Sequence, residues 1–253
     1  MQQDLLHKKV IELVTENYAY ASVLHFFGVP FYQHSEETLD KICQQKNLDK
    51  GKVIKELEEA GKTTNPQPDF NELKKYDLDL VIEYLKVAHM KFIRYKLPYI
   101  AKLIDDIDSR LFDNPAVAED MKVIFPVFLE DFIKHIYEEE DTLFKFIERL
   151  MQADRGIFNP YMLFRDLKNH DLKHLSEEHH DDEDKMSGLR ELTNGYQVCE
   201  RTTPYTKVIY TELKHFEEDL MIHACIENEI LFPKAIALQN RMKLRLSQKA
   251  RMN

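Results

Sequence analysis

Two short stretches of the sequence each place a glutamate four residues after a histidine. The first, HIYEEEDTLF, begins at His135, and the second, HACIENEILF, begins at His223, 88 residues further along. Both fit the pattern H-x-x-x-E-x-[DE]-x-L-F. Because residues four apart lie on one face of a helix, His135 with Glu139, and His223 with Glu227, can each offer a nitrogen and an oxygen to one point.

The second stretch is otherwise apolar, which makes its histidine and carboxylate unusual. Burying a charged group costs far more than burying a leucine unless the charge is paired or bound to a metal ion. The Leu-Phe pair that ends both stretches is expected to anchor this helix face in the core. The repeated pattern therefore predicts a buried metal site, whereas a single copy would be typical of a surface ion pair.

A further histidine precedes each pair at a similar distance. His89 lies 46 residues before His135, and His179 lies 44 residues before His223. In an antiparallel bundle a separation of this size leads along one helix and back along the next. Each of these histidines is therefore expected at the same level of the bundle as the histidine–glutamate pair that follows it. Two such hairpins facing each other would bring four imidazoles and two carboxylates into one pocket. His180 is the rival for the third ligand position, and the spacing favours His179.

The ligand types indicate which metal the pocket suits. Imidazole and carboxylate without thiolate favour iron or manganese before a structural zinc ion, and six ligands are too many for one tetrahedral zinc. Two carboxylates can bridge a pair of metal ions, with two histidines completing each. Asp131, one turn before His135, and Glu178, next to His179, are candidates for groups that orient the ligands.

Long amphipathic segments carry these residues. Glycine, at 6, and proline, at 9, are scarce, as long uninterrupted helices require. Four segments of helical periodicity with short connections predict an all-α fold, a four-helix bundle. No alternating run rich in Val, Ile and Thr predicts a sheet. The four segments are 78–111, 114–151, 169–196 and 203–245.

The first 61 residues read differently, as three short amphipathic helices that form a small N-terminal domain. The second of them has Ser35 and Thr38 as rival N-caps. The stretch KTTNPQPDFNE, rich in turn formers, marks a linker. We therefore predict a small helical domain over 1–61, a linker over 62–76 and the bundle over 77–253.

Composition and charge restrict the partners. The net charge of −10 argues against nucleic acid, because phosphate binding requires a basic face. No run of about 18 apolar residues predicts a membrane span, and the N-terminus lacks the features of a signal peptide. The three cysteines are far apart and odd in number, so no disulfide framework is expected and the reducing cytoplasm is the predicted location.

The residues resemble the hemerythrin-like domain of the iron–sulfur cluster repair di-iron proteins, also called repair-of-iron-centres proteins. The stretches that carry the resemblance are HMKFIRYKLPYI, HIYEEEDTLF, EHHDDEDKMSGLRELTN and HACIENEILFP. The resemblance implies a hemerythrin-like four-helix bundle with two non-haem iron ions. Carboxylates would bridge the two ions, with or without an additional oxo bridge. The implied iron ligands are His89, His135, Glu139, His179, His223 and Glu227. Family members often have a histidine where Met90 stands, so the register of the first ligand is open.

The resemblance extends to the small N-terminal domain, with one departure. The family usually carries a Cys-Cys-Gly-Gly motif where this chain has Tyr32, Gln33, His34 and Ser35. The thiol chemistry of that motif is therefore absent at this place. Cys43 is not expected to replace it, because its position on an amphipathic helix predicts a buried, unreactive thiol.

The resemblance implies a role in repairing iron–sulfur clusters damaged by nitric oxide or oxidants. Two irons held by four His and two Glu leave coordination positions for NO or O₂. Damaged iron–sulfur proteins would be the protein partners. The residues leave open whether the chain is an enzyme. A reversible O₂ or NO sensor or carrier without turnover is the alternative, and a metal-free helical interaction protein is a third. A homodimer, paired through the amphipathic small domain, is also open.

Overall fold

A computed structural model of the chain describes residues 2–62, 68–157, 159–181 and 184–252, without the side chains of residues 2–3, 160, 178–181 and 249–252. Within these ranges the fold is all-α, as predicted, and the only β-type pairing described is an isolated bridge between Lys9 and Thr38. The helical elements, in chain order, are α1 (Gln2–His7), α2 (Val10–Glu16), α3 (Ala19–Phe26), α4 (Leu39–Gln45), α5 (Lys50–Ala60), α6 (Phe70–Leu73), α7 (Leu78–Lys91), the π-helix π1 (Phe92–Lys96), α8 (Leu97–Asp106), a 3₁₀ turn (Ser109–Leu111), α9 (Pro115–Glu138), π2 (Glu139–Phe144), α10 (Lys145–Asp154), α11 (Pro160–Asn169), α12 (Leu172–Asp181), α13 (Ser187–Leu192), α14 (Pro204–Ile226), π3 (Glu227–Leu231) and α15 (Phe232–Met252).

Three of the four predicted long segments are continuous helical stretches, and the third is divided. α7 to α8, α9 to α10 and α14 to α15 each run through a π-helical turn without a break. The predicted segment 169–196 instead contains α12 and α13. Asn194 and Gly195 both have positive φ, at 51° and 70°, and the left-handed region ends helices. The predicted end of this segment at Asn194–Gly195 is therefore confirmed. The prediction of one continuous helix was wrong, because the chain is not helical at 184–186, between α12 and α13.

The chain forms two compact units, and the first contains the N-terminal helices. Unit 1 comprises Met1–Pro66, Lys96–Pro126 and Gly188–Glu217. The N-cap of α4 is Thr38 rather than its rival Ser35, and the Thr38 side chain accepts a hydrogen bond from the Lys41 backbone N–H. Such side-chain caps satisfy the backbone N–H groups that a helix start leaves without partners.

Contacts within unit 1 join its N-terminal helices to α8 and α14. Tyr32 Oη donates a 2.7 Å hydrogen bond to Asp106, and the rings of His25 and Tyr99 lie 4.7 Å apart. The ring of Phe31 stacks on Tyr205 in α14. The first 61 residues therefore share a core with later parts of the chain, and their independence as a domain stays a prediction. Cys43 is buried in this unit as predicted, and burial raises the pKa of its thiol.

Unit 2 holds the second core and the residues of the repeated pattern. It comprises Gln67–Tyr95, Val127–Ser187 and Glu218–Asn253. The Leu-Phe pairs that end the two stretches lie in its core, where Phe144 and Leu231 are fully buried and Phe232 is 1% exposed. Burying side chains of this size is the largest favourable contribution to folding. None of the described helices is both long and apolar enough to span a bilayer.

Candidate metal centre

Each repeated pattern sits where an α-helix passes into a π-helix. His135 lies in the last turn of α9, and Glu139 is the first residue of π2. His223 lies in the last turn of α14, and Glu227 is the first residue of π3. A π-helix turn bonds residue i to i+5, and single π turns inside α-helices occur frequently at functional sites. The two repeats therefore share this local distortion as well as their residue types.

Within each pair, the histidine and the glutamate are in contact as the spacing predicts. His135 Nε2 lies 3.0 Å from Glu139 Oε1, and His223 Nε2 lies 3.3 Å from Glu227 Oε1. Glu139 is 6% exposed and Glu227 is 1% exposed. Carboxylates at this depth require a compensating positive charge, from a proton on imidazole or from a metal ion.

His89 brings α7 to the same place. It is 1% exposed, and its Nε2 lies 3.0 Å from His223 Nε2 and 3.4 Å from Glu139 Oε2. Ligand atoms of His89, Glu139, His223 and Glu227 all lie within 4.8 Å of one another. Met90, which stands where family members often have a histidine, is 40% exposed. The structure therefore directs His89 rather than Met90 into the interior.

The orientation of the His89 ring is set by a residue that the sequence analysis missed. His89 Nδ1–H donates a 2.9 Å hydrogen bond to Glu140 Oε1, and the ring lies parallel to Phe144 at a centroid distance of 5.7 Å. A carboxylate on one ring nitrogen fixes the tautomer and leaves the other nitrogen as a ligand. Glu140 occupies the position after Glu139, and Asn228 stands at the matching place in the second repeat. The run EEED was the available signal, but it reads equally well as a solvated helix face.

The donor set fits a cation. With Nδ1–H committed to Glu140, the Nε2 lone pair of His89 points toward His223 Nε2, 3.0 Å away. Two lone pairs at this distance repel unless a proton or a metal ion lies between them. Two carboxylates in the same group favour the metal ion because they supply negative charge. Imidazole and carboxylate donors without a described thiolate in the group are the ligands typical of iron or manganese.

Glu139 touches two histidines from different helices. Its Oε1 contacts His135 and its Oε2 contacts His89, at 3.0 and 3.4 Å. His135 is partly exposed and lies outside the group of four. A carboxylate with one oxygen toward each of two nitrogen donors has the arrangement that a bridging ligand needs.

The other predicted residues are not part of the described group. The side chains of Glu178, His179 and His180 lie outside the part of the chain that the structure describes, although α12 includes their positions. Asp131 is exposed on α9. The roles of His179, Glu178 and Asp131 therefore stay predictions.

Comparison with known proteins identifies the family to which this sequence is similar. Residues 99–235 match the family profile described as the Hemerythrin HHE cation binding domain. That range contains both repeats, and His89 lies before it. The chain is also 24% identical, over 204 residues, to the iron-sulfur cluster repair protein YtfE of Yersinia pseudotuberculosis serotype O:1b (strain IP 31758). The same identity and length hold for YtfE of Yersinia pestis (strain Pestoides F), and each alignment covers 79% of this chain and 84% of the relative. The match covers more than half of the sequence and confirms the predicted resemblance, so this chain belongs to the hemerythrin HHE cation-binding domain family.

Proposed function

We propose that this chain is a non-haem di-iron protein that acts in the repair of iron–sulfur clusters damaged by nitric oxide or oxidative stress. The observation that carries the proposal is the buried convergence of His89, Glu139, His223 and Glu227 within 4.8 Å. Similarity to proteins named for iron–sulfur cluster repair supports the choice of reaction. None of the three cysteines forms a disulfide, which supports a cytoplasmic location.

The proposed site binds two irons through four histidines and two glutamates. His89, His135, His223, Glu139 and Glu227 supply the described ligands, and His179 supplies the sixth. Glu139 would supply both of its oxygens to the iron pair, since they face different histidines. Glu227, at the equivalent place in the second repeat, would supply the second carboxylate. When bound, such an iron pair supplies open coordination positions for NO or O₂ and a source of iron.

The chain's own side chains control access to this site. The ring of Phe92 meets the His223 ring edge-on at 5.8 Å and packs against Phe132 at 6.2 Å. The ring of Phe144, which stacks on that of His89 at 5.7 Å, is fully buried. An apolar wall excludes water and charged solutes, while small neutral molecules such as NO and O₂ pass at little desolvation cost. The aromatic rings therefore select diatomic ligands and hold the imidazoles in place.

The proposed repair activity can be tested on a damaged iron–sulfur enzyme. Iron-loaded protein, prepared anaerobically, is incubated with sulfide, a thiol reductant and a hydratase whose [4Fe–4S] cluster has been destroyed by NO, and recovery of hydratase activity is measured. We expect recovery with the wild type and none with a His223→Ala/Glu227→Ala variant. Reversible spectral changes with NO or O₂, without recovery of activity or release of N₂O, would instead support the sensor or carrier function.

Glu140 provides a separate prediction about the site. Glu140→Gln keeps the size of the side chain but removes the charge that strengthens its hydrogen bond with His89. Loss of such an outer carboxylate typically lowers metal affinity by about 10- to 100-fold, and we expect that decrease here. Competition with a chelator of known iron affinity measures it.

The neighbouring glutamate gives the matched control. Glu138 is exposed and lies 3.7 Å from Lys134, away from His89. Glu138→Gln should therefore leave the iron affinity unchanged. Equal affinities of the Glu140→Gln variant and the wild type would show that Glu140 does not orient the histidine.

A further inference from the structure

The outer side of α11 and the turn before it carry large apolar side chains that are exposed. Ile157 and Tyr161 are each 75% exposed, Phe164 is 59% exposed and Met162 is 38% exposed. Tyr161 and Phe164, three residues apart, lie on the same side of the helix. Leu163 is instead 6% exposed and belongs to the core of unit 2. Single exposed apolar residues are ordinary, but a group of them on one helix marks an interaction surface.

The exposed charges on this helix are basic. Arg165 and Lys168 are exposed, and they form no ion pair with any residue that the structure describes. Residues 155–169 contain one acidic residue, Asp166. It is 8% exposed and lies 2.8 Å from Arg149. The exposed side of α11 therefore carries positive charge without a compensating carboxylate, although the net charge of the whole chain is −10.

The last part of α15 adds further basic groups beside α11. These two helices pack against each other within unit 2. Arg241 and Arg245 of α15 lie 2.7 and 2.5 Å from Asp154, the last residue of α10, which comes three residues before Ile157. Leu244, one turn after Arg241, is 63% exposed. One carboxylate therefore faces two guanidinium groups, and the surface beside α11 keeps a positive charge.

The chemistry of these side chains indicates which acidic partner they suit. Aromatic rings can stack on nucleic acid bases, but the aliphatic side chains of Ile157, Met162 and Leu244 cannot. They leave water favourably only when they enter an apolar medium. Ile157 and Tyr161 also project from the surface, so they suit a deformable layer. Amphipathic segments that combine Lys or Arg with large apolar side chains lie in the interface of a membrane.

We propose that α11 and the turn before it bind the surface of an anionic lipid membrane. Tyr161 and Phe164 enter the boundary between headgroups and acyl chains, where rings with one apolar and one polar end are favoured. Arg165 and Lys168 contact the lipid phosphates. The chain then lies on the membrane without crossing it.

Two weak contributions act together in this contact, so the binding is reversible. Few apolar side chains enter the membrane, and each basic residue near an anionic surface increases the affinity about fivefold. The electrostatic part decreases at high ionic strength, because salt screens exposed charges. None of these residues is a proposed iron ligand, so the membrane contact does not depend on the proposed repair function.

Sedimentation with lipid vesicles tests the contact on the full-length protein. One set of vesicles contains equal parts of phosphatidylcholine and phosphatidylglycerol, and the other contains phosphatidylcholine alone. We expect the protein to sediment with the anionic vesicles only, and to be released by salt. Arg165→Gln/Lys168→Gln should lower the partition coefficient about 25-fold. Lys91→Gln/Lys134→Gln removes the same charge from exposed positions elsewhere in unit 2 and should bind as the wild type does.

Fluorescence locates the part of the chain that touches the lipid. The chain contains no tryptophan, so one introduced indole reports its own surroundings. Emission of Phe164→Trp should shift to shorter wavelength on anionic vesicles. Emission of Phe26→Trp should not shift, although Phe26, in unit 1, is 78% exposed. Circular dichroism checks that each variant is folded.

Three results would overturn the proposal. The first is a wild type that does not sediment with anionic vesicles, and the second is equal binding to both kinds of vesicle. The third is vesicle binding that leaves the emission of Phe164→Trp unchanged. Binding to a single-stranded oligonucleotide but not to vesicles would assign the surface to nucleic acid instead.

Discussion

Replacing His223 and Glu227 together with alanine is expected to remove iron from the protein while leaving its helix content largely intact. The two side chains form half of the described group of four, and His223 Nε2 also lies 3.0 Å from His89 Nε2. Their loss would leave the proposed site with two of its four described donors. Alanine has the highest helix propensity, and the pair spans the junction between α14 and π3, so the backbone remains helical.

Iron per chain after anaerobic loading and desalting measures this effect, and circular dichroism measures the helix content. His34 and Glu37 in unit 1 provide the control, because they form a comparable ion pair at 2.8 Å outside the site. The His34→Ala/Glu37→Ala variant should retain all of its iron. Unchanged iron in the His223→Ala/Glu227→Ala variant would reject the ligand assignment.

Removing iron from the wild-type protein should lower its melting temperature considerably. Without the metal, Glu139 and Glu227 remain buried together beside three imidazoles, and like charges in a buried site are costly. Binding to the native state alone contributes about 4 kcal/mol when free ligand is a thousandfold above Kd. A change of 1 kcal/mol moves Tm by about 2–4 °C for a chain of this size, so about 8–16 °C is expected.

Differential scanning calorimetry of loaded and chelator-treated protein gives the difference. Glu227→Gln separates the cost of the buried charge from the benefit of the metal, because the amide is neutral at the same size. Its chelator-treated form should melt at or above the temperature of chelator-treated wild type, and iron should stabilise it much less. A melting temperature of the wild type that iron does not change would contradict a buried metal centre.

The sequence predicted the parts of this site that depend on helical periodicity. The spacing of His135 from Glu139, and of His223 from Glu227, places each pair on one helix face in any regular helix, and the structure has both contacts. His89 also lies beside the histidine–glutamate pairs, as the length of an antiparallel hairpin predicts. The all-α fold followed from the long amphipathic segments and the scarcity of glycine and proline.

Other features depend on tertiary structure and have no such signal. The π-helical turns that begin at Glu139 and Glu227 interrupt segments that read as regular α-helix, because side-chain periodicity hardly changes over a single wide turn. Glu140 contacts His89 on a different helix, and no local pattern predicts a pair so far apart in sequence. The hydrogen bond between Tyr32 and Asp106 likewise joins the N-terminal part of the chain to α8. These residues lie on opposite sides of the predicted linker, and no local pattern indicates that they meet.

Iron quantification combined with Mössbauer spectroscopy tests the central claim most directly. The measurement uses full-length protein loaded anaerobically with isotopically enriched iron and then oxidised in a controlled step. Two irons per chain are expected for the proposed site, as in the di-iron carboxylate bundles, with the two irons of the oxidised pair spin-coupled to each other. One iron per chain, or two that remain magnetically independent, would contradict a shared centre built from the two histidine–glutamate repeats.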